Sequence, residues 1–264
     1  MTILKVGIIG AGLAGLSCAF ELEKFGIIPV IFEKKSSLGQ NMNFNSIQMN
    51  LFDMGLKNPV KYFAKKHGLS LNPLRKIKKL IIIGPETQAN INASIGNLFN
   101  RGEKSFSLEK QINSSTNAPV LFDHYMDIKD IRNDFDHIVV ATGGCRISKQ
   151  LDLWTTTFNC HTRIASVLGN FESDEVKIWF NTSYAKNGFA FLTATNEKQG
   201  YIILTVDNIT HKQMDFFWRK FLSSENIKYT ITDTIDHEQT LGHTSPLKYE
   251  NIYFPQSDNL IIRK

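Results

Sequence analysis

The chain has 264 residues, of which 42% are hydrophobic and 21% charged, and its 30 Lys+Arg against 25 Asp+Glu give a formal net charge of +5. That is long enough for one large or two intergrown domains with a real core, and the composition excludes disordered and fibrous classes. So mild a positive balance leaves no footprint for nucleic acid, and no apolar stretch reaches membrane-spanning length. Three cysteines, Cys18, Cys145 and Cys160, lie far apart in no motif, which suits a reducing, cytoplasmic compartment.

Leu4 to Ile9 is a short apolar run of the kind that forms a buried parallel strand. It leads into Gly10-Ala11-Gly12-Leu13-Ala14-Gly15 and then into the helical stretch Leu16 to Leu22. Gly10 permits a tight turn, Gly12 lets a pyrophosphate approach the backbone, and Gly15 lets helix and strand pack closely. Leu13 and Ala14 open a helix whose free N–H groups and dipole face the phosphates. A second apolar run, Ile27 to Phe32, ends in Glu33 and Lys34. The Glu33 carboxylate is placed to accept hydrogen bonds from both hydroxyls of an adenosine ribose. Strand, glycine turn, helix, second strand and terminal acid together form a dinucleotide fingerprint. An acid at Glu33 repels a 2′-phosphate, so the bound adenosine belongs to FAD or NAD. The apolar residues after Lys5 mimic a signal peptide, but the motif spacing of the glycines and the charges at Glu21, Glu23 and Lys24 argue against one.

From Ser36 to Gly55 periodicity is lost, and the stretch reads as loop. Asn58 to His67, with Pro59 near its start and Gly68 beyond its end, predicts a short helix. The cluster Arg75-Lys76-Ile77-Lys78-Lys79 reads as the solvated end of an element. Leu80 to Ile83 and Ala89 to Ile95 predict strands of an inserted sheet, and Ser107 caps a helix running to Ile112. Val120 to Asp123 and Asp136 to Val140 return to the nucleotide-binding fold, the latter ending in Ala141-Thr142-Gly143-Gly144. Val176–Asn181, Gly188–Thr195 and Tyr201–Asp207 predict an antiparallel meander. Thr210 to Ser223 is an amphipathic helix whose Met214, Phe217, Trp218 and Phe221 stripe packs on it. The fold class is α/β. A Rossmann-like parallel-sheet domain spans 1–75 and 100–165, an interleaved antiparallel-sheet substrate domain spans 76–99 and 166–245, and a return strand lies in 246–264.

With the glycine turn at its start, Glu33 on the second strand, and Asp136-His137-Ile138-Val139-Val140-Ala141-Thr142-Gly143-Gly144 past mid-chain, the sequence resembles the two-domain FAD-dependent oxidoreductases. It looks closest to their geranylgeranyl-reductase-like branch, related to aromatic hydroxylases and flavin halogenases. The resemblance implies FAD as cofactor and NAD(P)H as electron donor. It implies that Thr142, Gly143 and Gly144 approach the cofactor, and that Arg101 is directed toward it. The meander would cover the flavin ring and hold a small-molecule substrate, with Tyr184 a candidate proton donor. Phe180, Phe189, Phe191, Phe216 and Phe217 suit a hydrophobic or aromatic substrate.

Two departures stand out. Leu38-Gly39-Gln40-Asn41-Met42 replaces the Cys-Gly pair of many geranylgeranyl reductases, so polyprenyl reduction is not inherited. After Asn251 to Phe254 the relatives carry a Gly-Asp-Ala-type turn and a long helix, where this sequence reads Pro255 to Lys264. Two readings stay open: a flavin oxidoreductase, or a truncated, non-catalytic nucleotide-binding remnant of one. A simple NAD-dependent dehydrogenase is weaker, because no His paired with an acid marks a hydride-transfer site. The histidines are scattered, so no metal is expected, and Cys160-His161 lacks the facing geometry of a nucleophile pair.

Overall fold

The computed structural model describes residues 4–40, 42–50 and 58–255. In chain order the elements are β1 (Val6–Ile9), α1 (Leu13–Glu23), β2 (Val30–Phe32), β3 (Asn45–Met49), α2 (Pro59–His67), β4 (Arg75–Ile83) and β5 (Gln88–Asn100). Then follow α3 (Leu108–Asn113), β6 (Val120–Leu121), α4 (Ile128–Ile131), β7 (His137–Val140), α5 (Arg146–Gln150), β8 (Trp154–Leu168) and β9 (Glu175–Trp179). The last are α6 (Thr182–Ala185), β10 (Phe189–Ala194), β11 (Gln199–Asp207), α7 (Met214–Ser224), β12 (Thr230–Thr244), β13 (Lys248–Tyr249) and β14 (Ile252–Tyr253).

The strands form two sheets. The first has the order β13-β14-β7-β1-β2-β6 and is parallel apart from the β13–β14 pair. All four residues of β1 are buried, as a central parallel strand covered on both faces requires. Val6 and Ile8 pack with Leu16 and Ala19 of α1, whereas Ile9 packs on the other side with Ile128, Ile131 and Ile147.

The second sheet runs β12-β8-β11-β10-β9-β4-β5-β3 and is antiparallel apart from the β4–β9 pair. One face carries Ala190, Leu192, Ile202 and Leu204, and α6 and α7 cover it with Met214, Trp218 and Phe221. Successive strand residues alternate sides, so the register Phe191, Ile203, Ile164, Ile235 lies on the opposite face. Phe44 and Phe191 pack there against Ile164, Tyr201 and Ile203.

The α/β class with a Rossmann-like parallel sheet and a second, antiparallel sheet is therefore as read. The irregular reading of 36–55 is corrected at Asn45–Met49, which pairs with β5, while 51–55 lie outside the described residues. Arg75–Lys79 is the solvated N-terminal end of β4: Lys76 and Lys78 are exposed, Ile77 between them is buried, and Lys79 donates to Glu172. Sheet membership departs from the expected division at β3 and β8, both of which belong to the antiparallel sheet. Ile252–Tyr253 supplies the return strand beside β7, and Leu260 to Ile262 lie outside the described residues. Among the described residues, no helix is long and apolar enough to cross a membrane.

Candidate nucleotide site and the adjoining sheet face

The three fingerprint glycines have different neighbours. Gly10 adopts φ +106, and a Cβ there would lie 2.5 Å from the Ala141 carbonyl oxygen. A Cβ on Gly15 would lie 2.0 Å from the Gly10 oxygen, so α1 sits directly on the turn. Around Gly12 a Cβ would meet nothing within 4 Å, and its φ of −80 is open to any residue. Packing thus requires glycine at positions 10 and 15, while at position 12 it leaves an open cradle. Gly12 is also the N-cap of α1, with no side-chain cap and no acid in the first turn, so the N–H groups at Leu13 and Ala14 head a helix that favours an anion.

Glu33 stands opposite this cradle. Its Oε2 accepts the Ala11 N–H at 2.9 Å and its Oε1 accepts the Lys35 N–H at 3.0 Å. Each carboxylate oxygen keeps a second lone-pair direction for a ribose hydroxyl. Lys34 is exposed beside it. At the end of β7, Thr142, Gly143 and Gly144 are exposed, and the Thr142 hydroxyl donates to the Gly144 carbonyl at 3.3 Å. Gly143 has φ +67, and neither it nor Gly144 has an atom within 4 Å of a Cβ. The carboxyl ends of β1, β2 and β7 converge here, with β7 and β2 on opposite sides of β1. That is the switch point at which open α/β sheets bind ligands.

Two expected site residues are corrected. Arg101 pairs through Nε with Glu109 Oε1 at 2.5 Å, and Glu109 is 3% exposed and also accepts the Gly102 N–H. A buried carboxylate needs that partner, so Arg101 is committed through Nε to bracketing the 101–109 segment, with its guanidinium 5.9 Å from the Phe44 ring. Tyr184 is fully buried among the residues under α7, 5.1 Å from the Phe221 ring, and donates its hydroxyl to Glu225 at 2.8 Å. Burial first, and then the Glu225 bond, push its pKa far above the usual phenol. It lies on the covered face of the second sheet and cannot act as a proton donor on the open one.

The open face holds what the sequence did not order. Phe180, Phe189 and Phe191 form a row with centroid spacings of 6.2 and 6.0 Å, and Phe180 is 50% exposed. Phe216 and Phe217, grouped with them in the sequence reading, sit on α7 against each other. Two loops join this face to the nucleotide cradle. A Cβ on Gly39 would lie 2.6 Å from Gly102 Cα, and Ser37 donates to Glu103 at 2.8 Å. From the same stretch, Lys104 donates to the Tyr201 hydroxyl at 3.3 Å. No group of three or more His, Cys, Asp or Glu among the described residues is arranged to hold a metal ion.

A profile of the NAD(P)-binding Rossmann-like domain family matches residues 8–68. No curated protein matches the sequence. Among solved structures, a geranylgeranyl bacteriochlorophyll reductase-like protein from Thermoplasma acidophilum is similar with a TM-score of 0.72 at 11% identity, over 96% of this chain and 71% of that one. CmlS, a flavin-dependent halogenase, gives 0.68 at 15% identity, over 96% of this chain but only 53% of its own. 2-Methyl-3-hydroxypyridine-5-carboxylic acid oxygenase gives 0.56 at 12% identity in its tetrameric form, over 96% and 75%. The chain has the two-sheet fold of these proteins.

Proposed function

We propose that the chain is a flavin-dependent oxidoreductase that acts on a hydrophobic or aromatic small molecule, with FAD at the Gly12–Glu33 crevice and NAD(P)H as electron donor. The observation that carries this reading is the open cradle at Gly12 facing the doubly anchored Glu33 carboxylate. The residues present fit an adenine dinucleotide. Glu33 would hold the ribose, the N–H groups at the start of α1 would hold the pyrophosphate, and Gly143 and Gly144 would let the cofactor pass close to the backbone.

Bound flavin supplies the hydride chemistry, and the protein supplies position and exclusion of water. The Phe180–Phe189–Phe191 row offers an aromatic surface on the open face of the second sheet, against which an apolar or aromatic substrate would pack. The neighbours whose titles name a flavin-dependent halogenase and an oxygenase support this class of chemistry. The three free cysteines are in keeping with the reducing, cytoplasmic setting proposed for the chain.

Mixing the protein with FAD and then with NADH or NADPH under anaerobic conditions tests the reading. Saturable FAD binding with reduction faster than that of free flavin supports it, and failure to bind FAD contradicts it.

A further inference from the structure

The loop that leaves β6 carries an exposed aromatic ring to the edge of the crevice. Its backbone runs beside the chain that leaves β2: the Glu33 N–H donates to the Leu121 carbonyl at 2.9 Å, the His124 N–H to the Glu33 carbonyl at 2.9 Å, and the Asp123 N–H to the Lys35 carbonyl at 3.1 Å. Tyr125 comes next in the chain. Arg146, two residues beyond Gly144 on the segment that leaves β7, reaches the same loop. It donates to the Asp127 carboxylate at 2.8 Å, and its guanidinium lies over the Tyr125 ring, 5.0 Å from the centroid.

In the sheet, β6 and β7 are separated by β2 and β1. A contact between the segments that leave them therefore runs along the carboxyl ends of β1 and β2. It lies on the side where Ile128 and Ile147 pack with Ile9 and Phe32, whereas α1 packs on the other. The crevice thus has the start of α1 on one flank and the Tyr125–Arg146 contact on the other, with the Glu33 carboxylate, bonded to Ala11, between them.

Tyr125 is nonetheless 61% exposed. A ring held by a guanidinium on one face and open to solvent elsewhere is a stacking surface for a planar group. In a nucleotide the base stands on the far side of the ribose from the phosphates. With the phosphates at α1 and the ribose at Glu33, the base extends toward β6 and Tyr125.

We propose that Tyr125, backed by Arg146, is the platform on which the adenine stacks. The inference rests on the reading of the Gly12–Glu33 crevice as a dinucleotide site, and goes beyond it in assigning the base its partner.

The test is calorimetric titration of the whole chain with ADP, for wild type, Tyr125→Ala, Tyr125→Phe and Glu33→Ala. Losing a base–aromatic stack should cost Tyr125→Ala about 5-fold or more in ADP affinity. Tyr125→Phe keeps the ring and should stay within about twofold. Circular dichroism checks that the variants fold, as the exposure of Tyr125 leads one to expect. In ADP-bound wild type, nuclear Overhauser contacts should join the adenine H2 or H8 to tyrosine ring protons and vanish in Tyr125→Ala, a signature that a merely structural role would not give. Unchanged ADP affinity in Tyr125→Ala with a weakened Glu33→Ala overturns this inference and leaves the crevice reading standing. Equal losses in Tyr125→Ala and Tyr125→Phe, or no such contacts in bound wild type, also overturn it. Absence of ADP binding by wild type, or no effect of Glu33→Ala, overturns both.

Discussion

Glu33 Oε2 accepts the Ala11 N–H at 2.9 Å, which ties the acid that follows β2 to the glycine turn that follows β1. The carboxylate proposed to hold the ribose is thereby fixed before any ligand arrives, so the proposed contact needs little ordering of the side chain. Glu33→Ala is expected to weaken FAD binding by about 1.5–3 kcal/mol, the scale of a charge-assisted hydrogen bond. Titration calorimetry checks this, and unchanged affinity would remove Glu33 from the site.

The fingerprint glycines predict opposite outcomes. Gly12→Val should fold, since a Cβ there meets nothing within 4 Å, yet should lose nucleotide binding because the branched side chain fills the cradle. Gly15→Val should fold poorly, since its Cβ would sit 2.0 Å from a backbone oxygen that cannot swing away. Circular dichroism with thermal melts separates the two, and an ADP titration of Gly12→Val completes the comparison.

Tyr184→Phe removes the hydroxyl that donates to Glu225 at 2.8 Å. The expected cost is about 1 kcal/mol of stability, with flavin binding and any flavin-dependent turnover unchanged, because the ring lies beneath α7. A large loss of turnover at unchanged stability would restore Tyr184 to the chemistry.

Asp236 and Arg163 make a two-pronged pair, and the Arg163 bonds hold the Asp236 pKa below its ordinary 3.8. A depressed carboxylate pKa contributes stability that is present above 3.8 and is lost as pH falls from there through the folded-state value. Asp236→Asn should therefore cost about 1–2 kcal/mol at neutral pH, reduced from the buried-pair scale by partial exposure. It should also flatten the acid limb of a urea-denaturation pH series. An unaltered acid limb would show that the pair adds nothing.

The parallel sheet was legible because β1, β2 and β7 are buried on both faces and read as apolar runs, and because Gly10, Gly12, Gly15 and Glu33 stand at fixed places around them. The strands β8 and β12, each 15 residues long, were not. Their Thr, Asn, Asp and His residues break apolar alternation, and β12 is a largely exposed edge paired across a long loop of sequence, so tertiary pairing decides the structure there. Tyr184 misled because both faces of the second sheet are apolar: Ala190 and Leu192 on one side and Phe189 and Phe191 on the other give no sign of which faces the crevice. Arg101 misled because its partner Glu109 lies on the next helix, which local sequence does not bring near.

The most direct measurement is an absorbance titration of FAD with the wild-type chain and with Gly12→Val. The account predicts a saturable change in the flavin spectrum at one flavin per chain for wild type, and none for a folded Gly12→Val. No saturable change with wild type, or the same change with both, would contradict a dinucleotide crevice built on the open glycine and Glu33.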